Sequence, residues 1–159
     1  MVSLLKRHLS GSSFLVPRSL LRARKIPFFM ANHNELGKLG EQKARHYLST
    51  HGFAIRESNW RHGHLEIDII AETPHEIVFV EVKTRQSALY GEPEQAVDKE
   101  KMQAYLKAAN YYVRTSNINK PVRFDTMGII INSHECMVRH IPDAFNSLDA
   151  FGKYSKILK

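Results

Sequence analysis

IDIIAETPHEIVFVEVKTR, running from Ile67 to Arg85, decides the fold. Seven of its residues are Ile or Val and an eighth is Phe79, side chains suited to a pleated, buried strand. The turn residues Thr73, Pro74 and His75 split the run. It therefore reads as two consecutive strands, LEIDIIA and EIVFVEVKTR, joined tightly enough to pair antiparallel. Within these apolar strands stand three charges, Asp68, Glu81 and Lys83.

Alternation along a strand puts Glu81 and Lys83 on one face with Phe79, and Val78, Val80 and Val82 on the other. The same parity joins Glu66 to Asp68, with Ile67 and Ile69 opposite. Pairing of the two strands can bring both charged faces together as three carboxylates and one ammonium. Burying an unpaired ion costs several kcal/mol, roughly, so such a cluster calls for partners or a metal. Oxygen-only ligands favour a hard cation, Mg²⁺ or Mn²⁺, whose shell is completed by water and phosphate oxygens. That donor set suits phosphodiester hydrolysis, in which a lysine stabilises the developing charge. Spacing alone leaves a second reading open, a structural salt bridge of Lys83 with Glu81 or Asp68.

Outward from this pair, Asn34 to Thr50 reads as a helix with Asn34 as its cap, an apolar side of Leu36, Leu39, Ala44, Tyr47 and Leu48, and Gly52 at the carboxyl end. Glu41 borders the apolar side and can lean over the sheet as a fourth acid; a solvated glutamate is the plainer alternative. FAIRESNW is a strand and RHGH a turn. After YGEP, Glu94 to about Arg114 reads as a long helix, with Met102, Tyr105, Leu106, Ala109, Tyr112 and Val113 at helical spacing. VRFDTMGIII and CMVRHI are two more strands, Pro142 ends the pattern, and residues 146–159 read as a loose tail. The order α-β-β-β-α-β-β predicts an α/β fold, one mixed β-sheet flanked by helices.

Bulk composition bounds the function. At 159 residues, 43% hydrophobic and 25% charged, the chain is of globular type with one domain expected, and no run reaches the roughly 18 apolar residues of a membrane span. One cysteine, Cys136, excludes an internal disulfide and suits a cytoplasmic setting. The net charge of +7 is concentrated: residues 1–30 hold six of the 23 basic residues and none of the 16 acidic ones. The rest is nearly neutral, so nucleic-acid binding has to be argued from a site rather than from a basic domain. Residues 1–30, rich in Arg, Ser and Leu, read as a transit-like or basic extension, or as upstream sequence before a natural start at Met30, outside the folded domain of residues 31–145.

GKLGEQKARHYLSTHGFAIRESNWRHGHLEIDIIA, FVEVKTR and GEPEQAVDKEKMQAYLKAANYY followed by RFD resemble the YraN family of predicted endonucleases, across about Asn34 to Phe145. That family resembles archaeal Holliday junction resolvases and falls in the PD-(D/E)xK nuclease superfamily. The resemblance implies a restriction-endonuclease-like core. It implies Asp68 as the first acid, Glu81 and Lys83 as the Glu-Xaa-Lys, Glu41 as the helix glutamate, and Glu66 as the acid of Glu-Xaa-Asp. The catalytic set is then Asp68, Glu81, Lys83 and Glu41, with Asp68, Glu81 and Glu66 toward Mg²⁺ or Mn²⁺. The family pattern lacks residues 1–30, in keeping with Met30 as the start.

The expected activity is metal-dependent cleavage of DNA, branched or junction DNA included, with a homodimer as the symmetric arrangement suited to two strands. The alternative is a non-catalytic nucleic-acid-binding or assembly module that retains the fold, and RNA cleavage stays open. Arg61, Arg85 and Lys101 are candidate phosphate contacts, though isolated basic residues are more often solvated surface. His62 and His64 flank Gly63 without a second ligand pair at zinc spacing, so exposed turn imidazoles are expected. Trp60 reads as core sooner than as a base-stacking platform, and Asp125 as a structural hydrogen-bonding group.

Overall fold

The computed structural model describes residues 12–15, 33–87 and 98–151. Its elements are β1 (Ser12–Leu15), α1 (His33–Thr50), β2 (Ala54–His62), β3 (Leu65–Glu72), β4 (Ile77–Arg85), α2 (Lys99–Thr115), β5 (Val122–Ile131), β6 (Cys136–Ile141) and α3 (Ser147–Phe151). The strands form one six-stranded sheet in the order β1-β6-β5-β4-β3-β2. β4 and β5 are parallel, joined through α2, and every other pair is antiparallel. The five strands expected from residues 53–141 are all present, in one mixed sheet with helices on both faces.

Two apolar layers cover the sheet. Leu36, Ala44 and Leu48 of α1 pack on Ile69, Ala71, Val78, Val80, Met127, Ile129 and Val138. Tyr105, Ala108, Ala109 and Tyr112 of α2 pack on Ile70, Ile77, Phe79 and Phe124. Neighbouring residues of β3 and β4 thus divide between the faces, because a pleated strand buried on both sides must be apolar throughout. α1 ends where Gly52, at φ 85°, reverses the chain and lets the Phe53 N–H reach the Leu48 carbonyl.

Four expectations change. Arg61 and His62 belong to β2, so the turn shrinks to Gly63 and His64. α2 starts at Lys99, where Asp98 caps it by accepting the Lys101 N–H at 2.8 Å; Glu94 to Val97 lie outside the described residues. The tail expected from residue 146 on is ordered as far as Phe151, since α3 accepts a hydrogen bond from Gln103 at the Ala150 carbonyl, next to the buried Phe145. Finally, Ser12–Leu15, placed outside the fold on composition, pair with Met137 to His140. The edge of β6 offers unpaired backbone groups that any extended segment can satisfy, whatever its side chains.

Candidate active site

The β3–β4 ladder runs from Glu72/Ile77 to Ile69/Val80 and stops there. Continued by one residue it would set Asp68 opposite Glu81. Instead the strands part, and side chains take over the backbone hydrogen bonds. Asp68 Oδ2 accepts the Val82 N–H at 2.8 Å. The Tyr105 hydroxyl accepts the Asp68 N–H at 3.2 Å and donates to the Val80 carbonyl at 3.3 Å. Tyr105 is fully buried and comes from the middle of α2, so it acts as a strut across the opening.

Freed from the ladder, β3 loses its regular alternation. Ile67 packs with Ile70 on the α2 face, whereas Ile69 packs under α1, although parity would have put Ile67 and Ile69 together. The same change separates the acids. Glu66 pairs with Arg61 at 3.0 Å, both well exposed, directly across the β2–β3 register. Among the described residues no three of His, Cys, Asp and Glu converge as a metal-binding group. Of the expected set, Glu66 is engaged by Arg61, while Asp68 and Glu81 lie at the opening.

Glu81 is 2% exposed. Lys83 Nζ stands 2.9 Å from its Oε1 and Lys101 Nζ 3.4 Å from its Oε2, yet Oε2 makes no hydrogen bond. The Lys101 ammonium also lies over the Tyr105 ring, 5.1 Å from its centre. Burial, and next the Glu81 charge, push the Asp68 carboxyl up to about 7, against the Val82 N–H and Lys101. Glu41 adds a small push in the same direction. The Tyr105 phenol is held well above its ordinary range by burial and by both acids.

α1 reaches this end of the sheet through Gly40, where a Cβ would fall 1.8 Å from Thr84 Oγ1. That approach sets Glu41 beside the opening. Glu41 accepts a hydrogen bond from Asn59 Nδ2 at 2.9 Å and has Arg45 at 3.9 Å. Asn59, at φ 53° within β2, follows a register shift between Ile55 and Glu57. An asparagine tolerates this left-handed backbone better than most residues.

Of the residues singled out in the sequence, Asp68, Glu81, Lys83 and Lys101 come together, with Glu41 at the margin. Arg61 is 68% exposed and occupied by Glu66. Arg85 is half-buried at the end of β4. His62 and His64 are exposed, His62 stacking on Tyr111. Trp60 is half-buried against Tyr112. Asp125 belongs to a separate buried network described below. The site also takes in Tyr105, expected only as an apolar helix position, and Asn59, not expected at all. The one signal for Tyr105 is its place four residues after Lys101 on one helix face; nothing local marks Asn59.

A divalent cation fits the opening on chemical grounds. It contains the buried Glu81, with an oxygen that makes no hydrogen bond, and the half-buried Asp68, driven toward protonation by burial and by the Glu81 charge. Two protein carboxylates with water are an ordinary complement for Mg²⁺.

The chain matches the family described as Uncharacterised protein family UPF0102 over residues 40–129. It belongs to the UPF0102 family. Among UPF0102 relatives, the protein of Bacteroides thetaiotaomicron is 47% identical over 116 residues, 73% of this chain and 96% of the relative. Those of Parabacteroides distasonis and Flavobacterium psychrophilum are 44% and 40% identical over 116 residues, 73% of this chain and 96% and 98% of the relatives. The UPF0102 match spans Gly40, Glu41, Asn59, Asp68, Glu81, Lys83, Lys101 and Tyr105, all of the residues around the opening. Among the described residues no helix is long and apolar enough to cross a membrane.

Proposed function

We propose that this protein is a divalent-metal-dependent endonuclease that hydrolyses phosphodiester bonds in DNA, branched DNA included. One observation carries the reading: the β3–β4 ladder ends just before Asp68 and Glu81, Asp68 bonds the Val82 N–H in its place, and Lys83 stands on Glu81. A structural ion pair gives no reason for the two strands to part beside it. The mixed sheet between helices and the resemblance to the YraN family and its PD-(D/E)xK relatives support the same reading.

Asp68 and Glu81 would hold the Mg²⁺ or Mn²⁺, which when bound supplies charge neutralisation at the phosphate and a water of lowered pKa. Lys83, fixed by Glu81 on the same strand face, presents its ammonium toward the phosphate as charge develops there. Tyr105 keeps the strands apart and fixes the Asp68 backbone. Glu41, oriented by Asn59, would be a further hydrogen-bond acceptor at the margin of the site.

The alternative, a non-catalytic nucleic-acid-binding or assembly module, draws support from the two lysines that already neutralise Glu81. Incubation of the full chain with linear, flapped and four-way DNA, and with RNA of the same sequences, decides between them. Metal-dependent cutting that Asp68→Asn abolishes is expected. Binding without cutting in Mg²⁺ and in Mn²⁺ would establish the module instead.

A further inference from the structure

Glu81 is bracketed by two ammoniums that are held differently. Lys83 arises two residues along the same strand and meets Oε1 at 2.9 Å. Lys101 arises from the first turn of α2 and stands 3.4 Å from Oε2, an atom buried away from water and lacking a hydrogen bond. The Tyr105 hydroxyl donates to the Val80 carbonyl at 3.3 Å and lies within hydrogen-bonding reach of Glu81 as well. Oε2 is thus neutralised by Lys101 without being bonded by it. The Lys101 side chain is 34% exposed, and rotation of its four-carbon stem carries the ammonium to solvent with no movement of the α2 backbone.

A doubly charged ion between Asp68 and Glu81 would meet Lys101 at the same oxygen. Like charges a few ångströms apart repel strongly in a partly buried site, and the ammonium with the weaker contact is the one that leaves. We propose that Lys101 is the resident counter-ion of Glu81, occupying the metal position until a divalent cation displaces it. Resting on the metal-centre reading above, this makes Lys101 the residue that sets how much divalent ion the protein needs. Lys101 also adds to Lys83 in compensating the buried Glu81 charge, which would be costly if unpaired.

Titration calorimetry of the full chain with Mn²⁺ tests the exchange, using wild type, Lys101→Met, which keeps the apolar stem on Tyr105, Lys101→Gln as a second neutral variant, and Asp68→Asn. Both Lys101 variants should bind Mn²⁺ about tenfold more tightly than wild type, the effect of removing one nearby, partly solvated charge. Asp68→Asn should not bind. In NMR spectra the terminal methylene protons of Lys101, shifted upfield by the Tyr105 ring, should move toward their ordinary position as Mg²⁺ is added. Binding by wild type that neither Lys101 variant tightens, or Lys101 signals that stay shifted in saturating Mg²⁺, overturns the counter-ion role and leaves the nuclease reading standing. Failure of wild type and both Lys101 variants alike to bind Mn²⁺ overturns the metal centre and the exchange together. Binding by the variants but not by wild type supports the exchange in its strongest form.

Discussion

Asp68 Oδ2 accepts the backbone N–H of Val82 at 2.8 Å, across a gap where strand should pair with strand. A side chain here does the work of a carbonyl, and the Glu81 and Lys101 charges are close enough to act on it. Asp68 carries out this task under strain of charge, since burial and Glu81 push its carboxyl up to about 7.

Asp68 should therefore cost stability at neutral pH. An aspartate in the unfolded chain loses its proton near 3.8, whereas the folded chain keeps it until about 7. Between these values the native state binds more protons, so this group's contribution to stability falls as pH rises from about 4 to about 7 and is level outside that window. In the Asp68→Asn variant the side-chain amide can still accept the Val82 N–H through its oxygen, and it carries no charge. Melting of Asp68→Asn without metal should match or exceed wild type at pH 8, with the difference shrinking at pH 5; a variant that melts lower at pH 8 than at pH 5, relative to wild type, contradicts it.

Metal affinity should follow the same proton with the opposite sign, because the cation needs the ionised carboxylate. Mn²⁺ binding should tighten by about tenfold per pH unit from pH 5 to near 7 and then level off. Calorimetry at pH 6 in buffers of different ionisation enthalpy should report release of close to one proton. A flat affinity over this range would exclude Asp68 as a ligand.

Tyr105→Phe removes the strut and leaves the Asp68 N–H and Val80 carbonyl without their partner. Two buried backbone groups unsatisfied should cost about 2–4 kcal/mol, read from the denaturant midpoint. Mn²⁺ affinity should fall with it, since the strands are free to close on the gap. Stability lost with unchanged metal affinity would mean the hydroxyl only fills space.

Lys83→Met keeps the apolar stem and removes the ammonium. If Lys83 acts as charge develops on the phosphate, cleavage should slow by on the order of 10²-fold or more while metal and DNA remain bound. Single-turnover cleavage beside a DNA-binding titration separates the two effects, and full-rate cutting by the variant removes Lys83 from the reaction.

Asp125 provides a contrast outside the opening. It is wholly buried and accepts hydrogen bonds from His140 Nε2, from Arg123 and from the Asp143 N–H; burial opposes its charge, yet these bonds hold the carboxyl below its usual range. Its stabilisation is present above about pH 4 and is lost as pH falls through the depressed value. Asp125→Ala should cost about 3–5 kcal/mol, by removing the carboxylate partner of the buried His140 and one of the two partners of Arg123, and leave the Mn²⁺ affinity of the remaining folded protein unchanged. A large change in that affinity would link the two clusters.

The sequence by itself determined most of the elements between residues 33 and 141 and marked the charged residues at the opening. VRFDTMGIII and CMVRHI coincide with β5 and β6 because period-two apolar runs between turn residues have few other outcomes, and α1 follows from its 3.6-residue periodicity and Gly52. Asp68, Glu81 and Lys83 stood out because charge on a buried strand needs a reason. Tertiary structure alone decided where the ladder stops, since hydrogen-bond register between strands leaves no mark in either strand. That stop sends Glu66 out to Arg61 while keeping Asp68 by Glu81, and it admits Tyr105 from a helix nearly forty residues away. Lys101 reads in sequence as a candidate phosphate contact or a solvated lysine; only the packing of α2 on the sheet sets it against Glu81, because contacts between distant elements depend on how helix and strands cross and not on local periodicity. The same holds for Asn59 and Glu41, eighteen residues apart in the chain and joined only by the approach of α1 through Gly40.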